Sequence, residues 1–243
     1  MPKYRGAAPI HWAVIRGESE TGVTIFFLDE QVDTGKYLLQ DRIKIGPDDT
    51  TGDVYDRLMK IGANSMVHGV EMIASGKYSL IEQDHAMSTS APKIFPEQAK
   101  IDLNKSSLEV VNHIRGVNPF PTAWMLLDGK KMKVHRARVL EVNQIEDFAD
   151  LDGKYDNNKG GRINRMHLID ETESTQNMND TYGFSAHYHL RRNELATLLN
   201  VDGKLVAKCA DGLVEFTEVQ LEGKRLTSGE DFLRGYQGDL VIS

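Results

Sequence analysis

Thr21–Leu28, TGVTIFFL, runs directly into Asp29–Gly35, DEQVDTG. The first stretch is β-branched and aromatic, nearly continuous, and bounded by Gly22 and Asp29, which predicts a buried strand. The second carries Asp29, Glu30 and Asp33 ahead of Thr34–Gly35, the composition of a turn-forming loop. Tyr37–Ile45 reads as the next strand, with Leu38, Leu39, Ile43 and Ile45 available for burial. Asp48–Thr51 offers N-cap residues for a long helix over Gly52–Ala74. Its Val54, Leu58, Ile61, Met66, Val70 and Ile73 are expected to form one apolar stripe. Strand, loop, strand and packed helix predict α/β architecture. The strands read as part of a sheet, so an apolar edge is left open and is expected to promote self-association.

Upstream lies Pro2–Ile10, PKYRGAAPI. Lys3, Tyr4 and Arg5 supply two cations and an aromatic ring, and Gly6–Ala7–Ala8 keep the backbone small enough for close approach. Pro9 sits where proline is best tolerated, at the first turn of a helix over Ile10–Arg16. Unpaired amides at a helix start make such a loop a usable binding surface. From these residues alone an ordinary tight turn is the better reading.

Downstream, Gly76–Lys105 is polar and holds Pro92 and Pro96, with Ile94, Phe95 and Ile101 expected to pin it down. Ser106 and Glu109 form a capping-box pair for a helix ending near Gly116, with Val110, Ile114 and Val117 inward. Asn118–Pro121 is a rigid turn. Asp128–Gly129 and Asp211–Gly212, each between short apolar runs, signal hairpins, and Ser228 caps a last helix bearing Phe232, Leu233 and Tyr236. Repeated short strands predict a small antiparallel barrel. The expected organisation is residues 1–90, a linker over 91–105, and a C-terminal barrel domain over 106–243 with an insertion at about 145–194. That insertion is rich in Asn, Asp and Gly, with a short helix expected near Arg191–Leu199. His187 and His189 form a His-x-His pattern, but no third ligand is evident and no metal is expected.

With 243 residues, 40% hydrophobic and 27% charged, the chain can bury a real core as one large domain or two small ones. A formal net charge of −7 argues against broad attraction to nucleic acid or membrane and leaves room for a local basic strip. Lys130, Lys131, Lys133, Arg136 and Arg138, with Arg115 nearby in sequence, form that strip. Side chains alternate along a strand, so these cannot all face one way. Phosphate contacts by a subset, or a solvated edge strand guarded by lysines, both fit. Cys209 stands alone and excludes an internal disulfide. The sequence has neither a membrane-length apolar run nor a signal-peptide core, and a cytoplasmic location is expected.

Several pieces in series resemble methionyl-tRNA formyltransferase. They are PKYRGAAPI, TGVT at Thr21–Thr24, Asp33–Thr34–Gly35, APKIF at Ala91–Phe95 and the run from Ile114 to Trp124. KLVAKCADG at Lys204–Gly212, EGKR at Glu222–Arg225 and FLRGY at Phe232–Tyr236 complete them. The resemblance implies part of a Rossmann-like formyltransferase domain followed by an OB-like barrel. It implies transfer of a formyl group from 10-formyltetrahydrofolate to the α-amino group of methionyl initiator tRNA, a step of translation initiation, without a metal. Asp33 matches the catalytic carboxylate. The backbone of Leu28, Asp29, Glu30, Gln31 and Val32 matches the wall for the folate pterin ring, with Pro2, Arg5 and Gly6 bordering the cleft.

The family's catalytic Asn and His immediately precede the segment matching Pro2, so the chain is expected to begin after them, with a separate chain as a candidate for the missing half. His11 lies on the wrong side of the motif to stand in for that His. The inserted segment exceeds the family's connection, and Ala196–Asn200 matches the strand that resumes after it. Two other readings stay open: a non-catalytic remnant that keeps a tRNA-binding barrel, and a sugar-nucleotide formyltransferase.

Overall fold

The computed structural model describes residues 3–30, 33–140, 198–238, 240 and 242. The chain divides into two units, Met1–Val139 with Leu195–Ser243, and Leu140–Glu194. The first opens with helix α1, Pro9–Ile15, whose proline occupies the first turn, where a missing N–H costs no hydrogen bond. Strands β1 (Glu20–Phe26) and β2 (Tyr37–Lys44) pair antiparallel, from Glu20 opposite Lys44 to Phe26 opposite Tyr37. Helix α2 (Thr51–Ser75) follows, closed at its start by a reciprocal Thr50–Asp53 capping box and at its end by Gly76 at φ 66.

Two expectations change here. β1 stops at Phe26, and Leu28 is 91% exposed, so TGVTIFFL is not buried along its length. The strand is half-buried because α2 packs across the two-stranded sheet from one side. The α2 stripe also differs from its predicted course. Val54 and Leu58 are buried, but the buried positions then pass to Ser65 and Gly69, while Met66, Val70 and Ile73 stay exposed. A Cβ on Gly69 would touch Leu38 at 3.3 Å and Ile25 at 3.4 Å, and one on Gly62 would meet Val23 at 3.6 Å. The sheet therefore packs on the helix's small residues, which allow the closest approach, and not on its bulkiest ones.

The second sheet contains β3 (Ala123–Leu127), β4 (Lys130–Leu140), β5 (Leu198–Val201), β6 (Lys204–Lys208), β7 (Leu213–Leu221) and β8 (Thr227–Ser228). Its order is β3-β4-β7-β6-β5, with β8 on β7. The β3–β4, β5–β6, β6–β7 and β7–β8 pairings are antiparallel. Asp128–Gly129 turns with both residues at positive φ, 47° and 71°, and Asp202–Gly203 does the same at 50° and 77°. Such turns match the twist of the strands they join. Leu198 and Leu199 belong to β5, so the helix expected to reach Leu199 is not formed there. Residues 141–197, with His187, His189 and the whole of the expected insertion, lie outside the described residues.

Helix α3 (Ser107–Gly116), capped by Ser106 and Glu109, and helix α4 (Gly229–Gly235), capped by Ser228, flank this sheet. Val110, Ile114 and Val117 pack with Met125, Leu127, Met132, Val134, Leu205, Phe216 and Phe232 in the main core. Ile94, Ala99 and Ile101 join that core, while Phe95 faces out. A smaller core of Ala13, Val14, Ile45, Val54 and Leu58 lies under α1 and α2. Among the described residues no helix is long and apolar enough to cross a membrane.

Candidate functional site

The opening loop is held by a segment far downstream. Arg5 N–H donates to the Thr89 carbonyl at 2.8 Å, Ala91 N–H donates to the Arg5 carbonyl at 2.8 Å, and Ala8 N–H donates to the Ala91 carbonyl at 3.1 Å. Gly6 has φ +134, and a Cβ there would lie 2.6 Å from the Ala91 oxygen, so only glycine fits this crossing. Tyr4, at φ 59, donates its hydroxyl to Glu18 Oε1 at 2.6 Å, and Lys3 Nζ pairs with the same oxygen at 3.1 Å. The tyrosine hydroxyl, more than the lysine, holds the Glu18 carboxyl below its ordinary range.

Asp33 sits at φ 60, a left-handed conformation that Asp tolerates better than most residues. Two residues later, Gly35 is packed so tightly that a Cβ would lie 1.7 Å from the Phe27 carbonyl oxygen. Phe27 N–H closes the loop by donating to the Lys36 carbonyl at 3.0 Å. Gln83, buried nearby, donates from Nε2 to the Asp33 carbonyl at 3.1 Å and to the Gly35 carbonyl at 2.8 Å. Its Oε1 accepts from Arg5 Nη2 at 3.1 Å, and Arg5 Nη1 lies 3.0 Å from His85 Nδ1. A cleft of about 200 Å³ adjoins this cluster, lined by Tyr37, Gln40, Arg42, Glu82, Gln83 and Asp84.

The fold thus brings Arg5 and the Asp33 turn together through Gln83. Leu28, Asp29 and Glu30 follow the end of β1 as an exposed loop, in which Asp29 Oδ1 accepts from Glu30 N–H at 2.6 Å. Pro2, Gln31 and Val32 lie outside the described residues. Sequence reading missed Gln83 because a polar residue in an aperiodic segment carries no signal of burial. His11 turns away from this cluster, with Nε2 3.1 Å from the Phe120 carbonyl oxygen.

The basic strip divides. Arg115 is only 8% exposed. Its guanidinium donates to Asn112 Oδ1 at 2.8 Å, the Gly46 carbonyl at 3.3 Å and the Asp49 carbonyl at 3.1 Å, so it ties α3 to the loop before α2. Burial lowers its pKa, with Asp49 and Asp48 opposing that shift. Arg138 donates to the buried Glu215 at 2.8 Å, and Arg136 lies 3.8 Å from both Asp53 and Glu218. Lys131 Nζ rests 4.2 Å from the centroid of the Trp124 ring. Lys130 and Lys133 are exposed, and neither forms an ion pair among the described residues.

Three histidines bear on stability. Burial lowers the pKa of His11, His113 and His135 below the ordinary 6.5, and His113 and His135 each hold a buried Nε2 that has no hydrogen-bond partner among the described residues. Below that value the unfolded chain binds protons that the folded one refuses, so stability falls as pH drops through it. The paired carboxylates Glu18 and Glu109 add their own loss only below their ordinary 4.5. Urea midpoints are therefore expected to decrease already between about pH 7 and 5.5, before carboxylates contribute.

Residues 1–70 match the family described as Formyl transferase. Residues 93–163 and 162–237 match Formyl transferase, C-terminal domain. The chain belongs to the formyltransferase family. A methionyl-tRNA formyltransferase of Moorella thermoacetica is 42% identical over 145 residues, 60% of this chain and 47% of that protein. One from Chlorobium limicola is 32% identical over 237 residues, 98% of this chain and 61% of that protein. This formyltransferase-family chain therefore spans between about half and three fifths of the length of these relatives. The crystal structure of WlaRD, a sugar 3N-formyl transferase in the presence of dTDP and 5-N-formyl-THF, aligns with TM-score 0.58 at 17% identity. It covers 93% of this chain and 63% of its own, a likeness of fold.

Proposed function

We propose that this chain serves formyl transfer from 10-formyltetrahydrofolate to the α-amino group of methionyl initiator tRNA, with Asp33 as its catalytic carboxylate. The observation that carries the reading is the Asp33–Thr34–Gly35 turn, held rigidly beside the opening loop in a chain whose relatives are methionyl-tRNA formyltransferases. A free α-amino group titrates just above neutrality, so a positioned carboxylate can help take its proton as the amine attacks the formyl carbon. Attack builds an oxyanion, which a carboxylate repels, so donors other than Asp33 must stabilise it. In this reading the backbone of residues 28–32 lines the pterin ring, with Pro2 beside it. Residues 1–90 form a Rossmann-like part, residues 91–105 a connection, and the second sheet an OB-like barrel that meets tRNA. No metal is required.

The test is formylation of Met-tRNA by the chain with 10-formyltetrahydrofolate, with Asp33→Asn as control. Formylation that Asp33→Asn abolishes supports the reading. Formylation of a sugar-nucleotide amine, with Met-tRNA untouched, would assign the chain to the sugar enzymes instead. No turnover on either, with tRNA still bound, would mark it as a binding remnant.

For tRNA contact, Lys130 and Lys133 are the strip's available cations. Lys130→Ala with Lys133→Ala is expected to weaken tRNA binding and flatten its salt dependence by about 1–2 in log–log slope. Arg136→Ala with Arg138→Ala should flatten it less, because those guanidinium groups already face carboxylates. Filter binding across salt concentrations reads both effects.

A further inference from the structure

We propose that Gln83 is a positioning residue for formyl transfer, holding the Asp33 carboxylate in register with the opening loop. This rests on the reading of Asp33 as catalytic. Gln83 is only 9% exposed, and its amide has a single workable orientation. Arg5 presents only donors, so Oε1 must face Arg5 Nη2 at 3.1 Å. That leaves both N–H bonds of Nε2 for the carbonyls of Asp33, at 3.1 Å, and Gly35, at 2.8 Å. The two carbonyls stand on either side of Thr34, so one amide fixes the peptide planes that flank the turn. Asp33 belongs to the same backbone, at φ 60, so those planes constrain the direction of its Cα–Cβ bond, from which the carboxylate extends.

Arg5 carries the coupling outward. Its backbone pairs with Thr89 and Ala91 at 2.8 Å, and its Nη1 lies 3.0 Å from His85 Nδ1. Since Arg5 can only donate, His85 must accept there, with its ring proton on Nε2. A single side chain thus joins loops that are 78 residues apart on one side and 50 on the other. An apolar residue at position 83 would leave Asp33, Gly35 and Arg5 each short of a partner, which is why a buried amide stands there.

The experiment uses the full chain, labelled for carbonyl ¹³C NMR, with 5-formyltetrahydrofolate as the binding probe. Gln83→Glu keeps the shape but replaces the donor with an acceptor. At neutral pH it is expected to move the Asp33 and Gly35 carbonyl resonances upfield and raise the probe Kd by roughly threefold to tenfold, the worth of one hydrogen bond. Lowering the pH protonates the introduced carboxyl, restores one donor, and should bring both readouts back toward wild type, a recovery that lost packing would not show. Gln83→Asn, which withdraws the amide by one methylene, should move the same two carbonyls and serves if Gln83→Glu does not fold. Unmoved carbonyls in the folded variants overturn the proposal, as does a probe Kd that stays at the wild-type value while the carbonyls shift. A wild-type chain that does not bind the probe counts against the folate reading alone, and the carbonyl shifts and their pH recovery then decide whether Gln83 positions the turn.

Discussion

Gly35→Ala is expected to lower stability by about 3 kcal/mol or more, a shift of roughly 6–12 °C in Tm for a chain of this size. The cause is steric. A Cβ at this position would lie 1.7 Å from the Phe27 carbonyl oxygen, and that atom belongs to backbone already committed to Lys36 at 3.0 Å. Neither side can yield alone, because the Gly35 carbonyl is also held by Gln83 at 2.8 Å. Gly129→Ala supplies the control. It adds a Cβ at φ +71 with nothing within 4 Å, so it bears only the conformational cost of about 1–2 kcal/mol. Thermal melts of the two variants separate crowding from conformational preference. Equal losses would show that the β1–β2 connection is looser than its geometry implies.

Arg115→Leu should cost about 3 kcal/mol. It removes the donors for Asn112 Oδ1 and for the Gly46 and Asp49 carbonyls while nearly preserving volume. Each buried acceptor left alone costs about 1–3 kcal/mol, offset in part because the buried charge no longer has to be desolvated, although Asp48 and Asp49 lose the cation they favour. Arg115→Lys should recover little, since one ammonium cannot span three acceptors set for a planar fork. Urea denaturation reads the loss. Salt-dependent tRNA binding by the folded variant should keep the wild-type slope, because this guanidinium is turned inward and satisfied. A flattened slope with unchanged stability would reverse the assignment and return Arg115 to the nucleic-acid strip.

Local chemistry made much of the fold legible. Pro9 at the start of α1, the Ser106–Glu109 box before α3, Ser228 before α4 and the Asp128–Gly129 turn all appear where their residue types place them. Each depends on partners within a few positions, so the sequence contains the whole interaction. The Asp33–Thr34–Gly35 series and the opening PKYRGAAPI were legible by resemblance instead, as ordered motifs of a family to which the chain belongs.

The remaining features depend on neighbours that sequence order does not reveal. Met66, Val70 and Ile73 share hydrophobicity with Val54 and Leu58, yet burial passes to Ser65 and Gly69 because small residues let β1 and β2 approach the helix. Arg115 reads as one more cation near a basic strand, and only the Gly46 and Asp49 carbonyls turn it into a buried clasp. Gln83 is the strongest case, a polar residue in an aperiodic stretch whose three hydrogen bonds all cross 48 to 78 residues of chain. Residue type and spacing dictated the helix ends and turns of this protein, since caps, turn geometry and hydrophobic period act over a few residues. Which polar groups lie inside, and which carboxylate and loop they hold in place, was decided in three dimensions. A buried hydrogen bond depends on where its partner arrives, and that is a property of the folded chain.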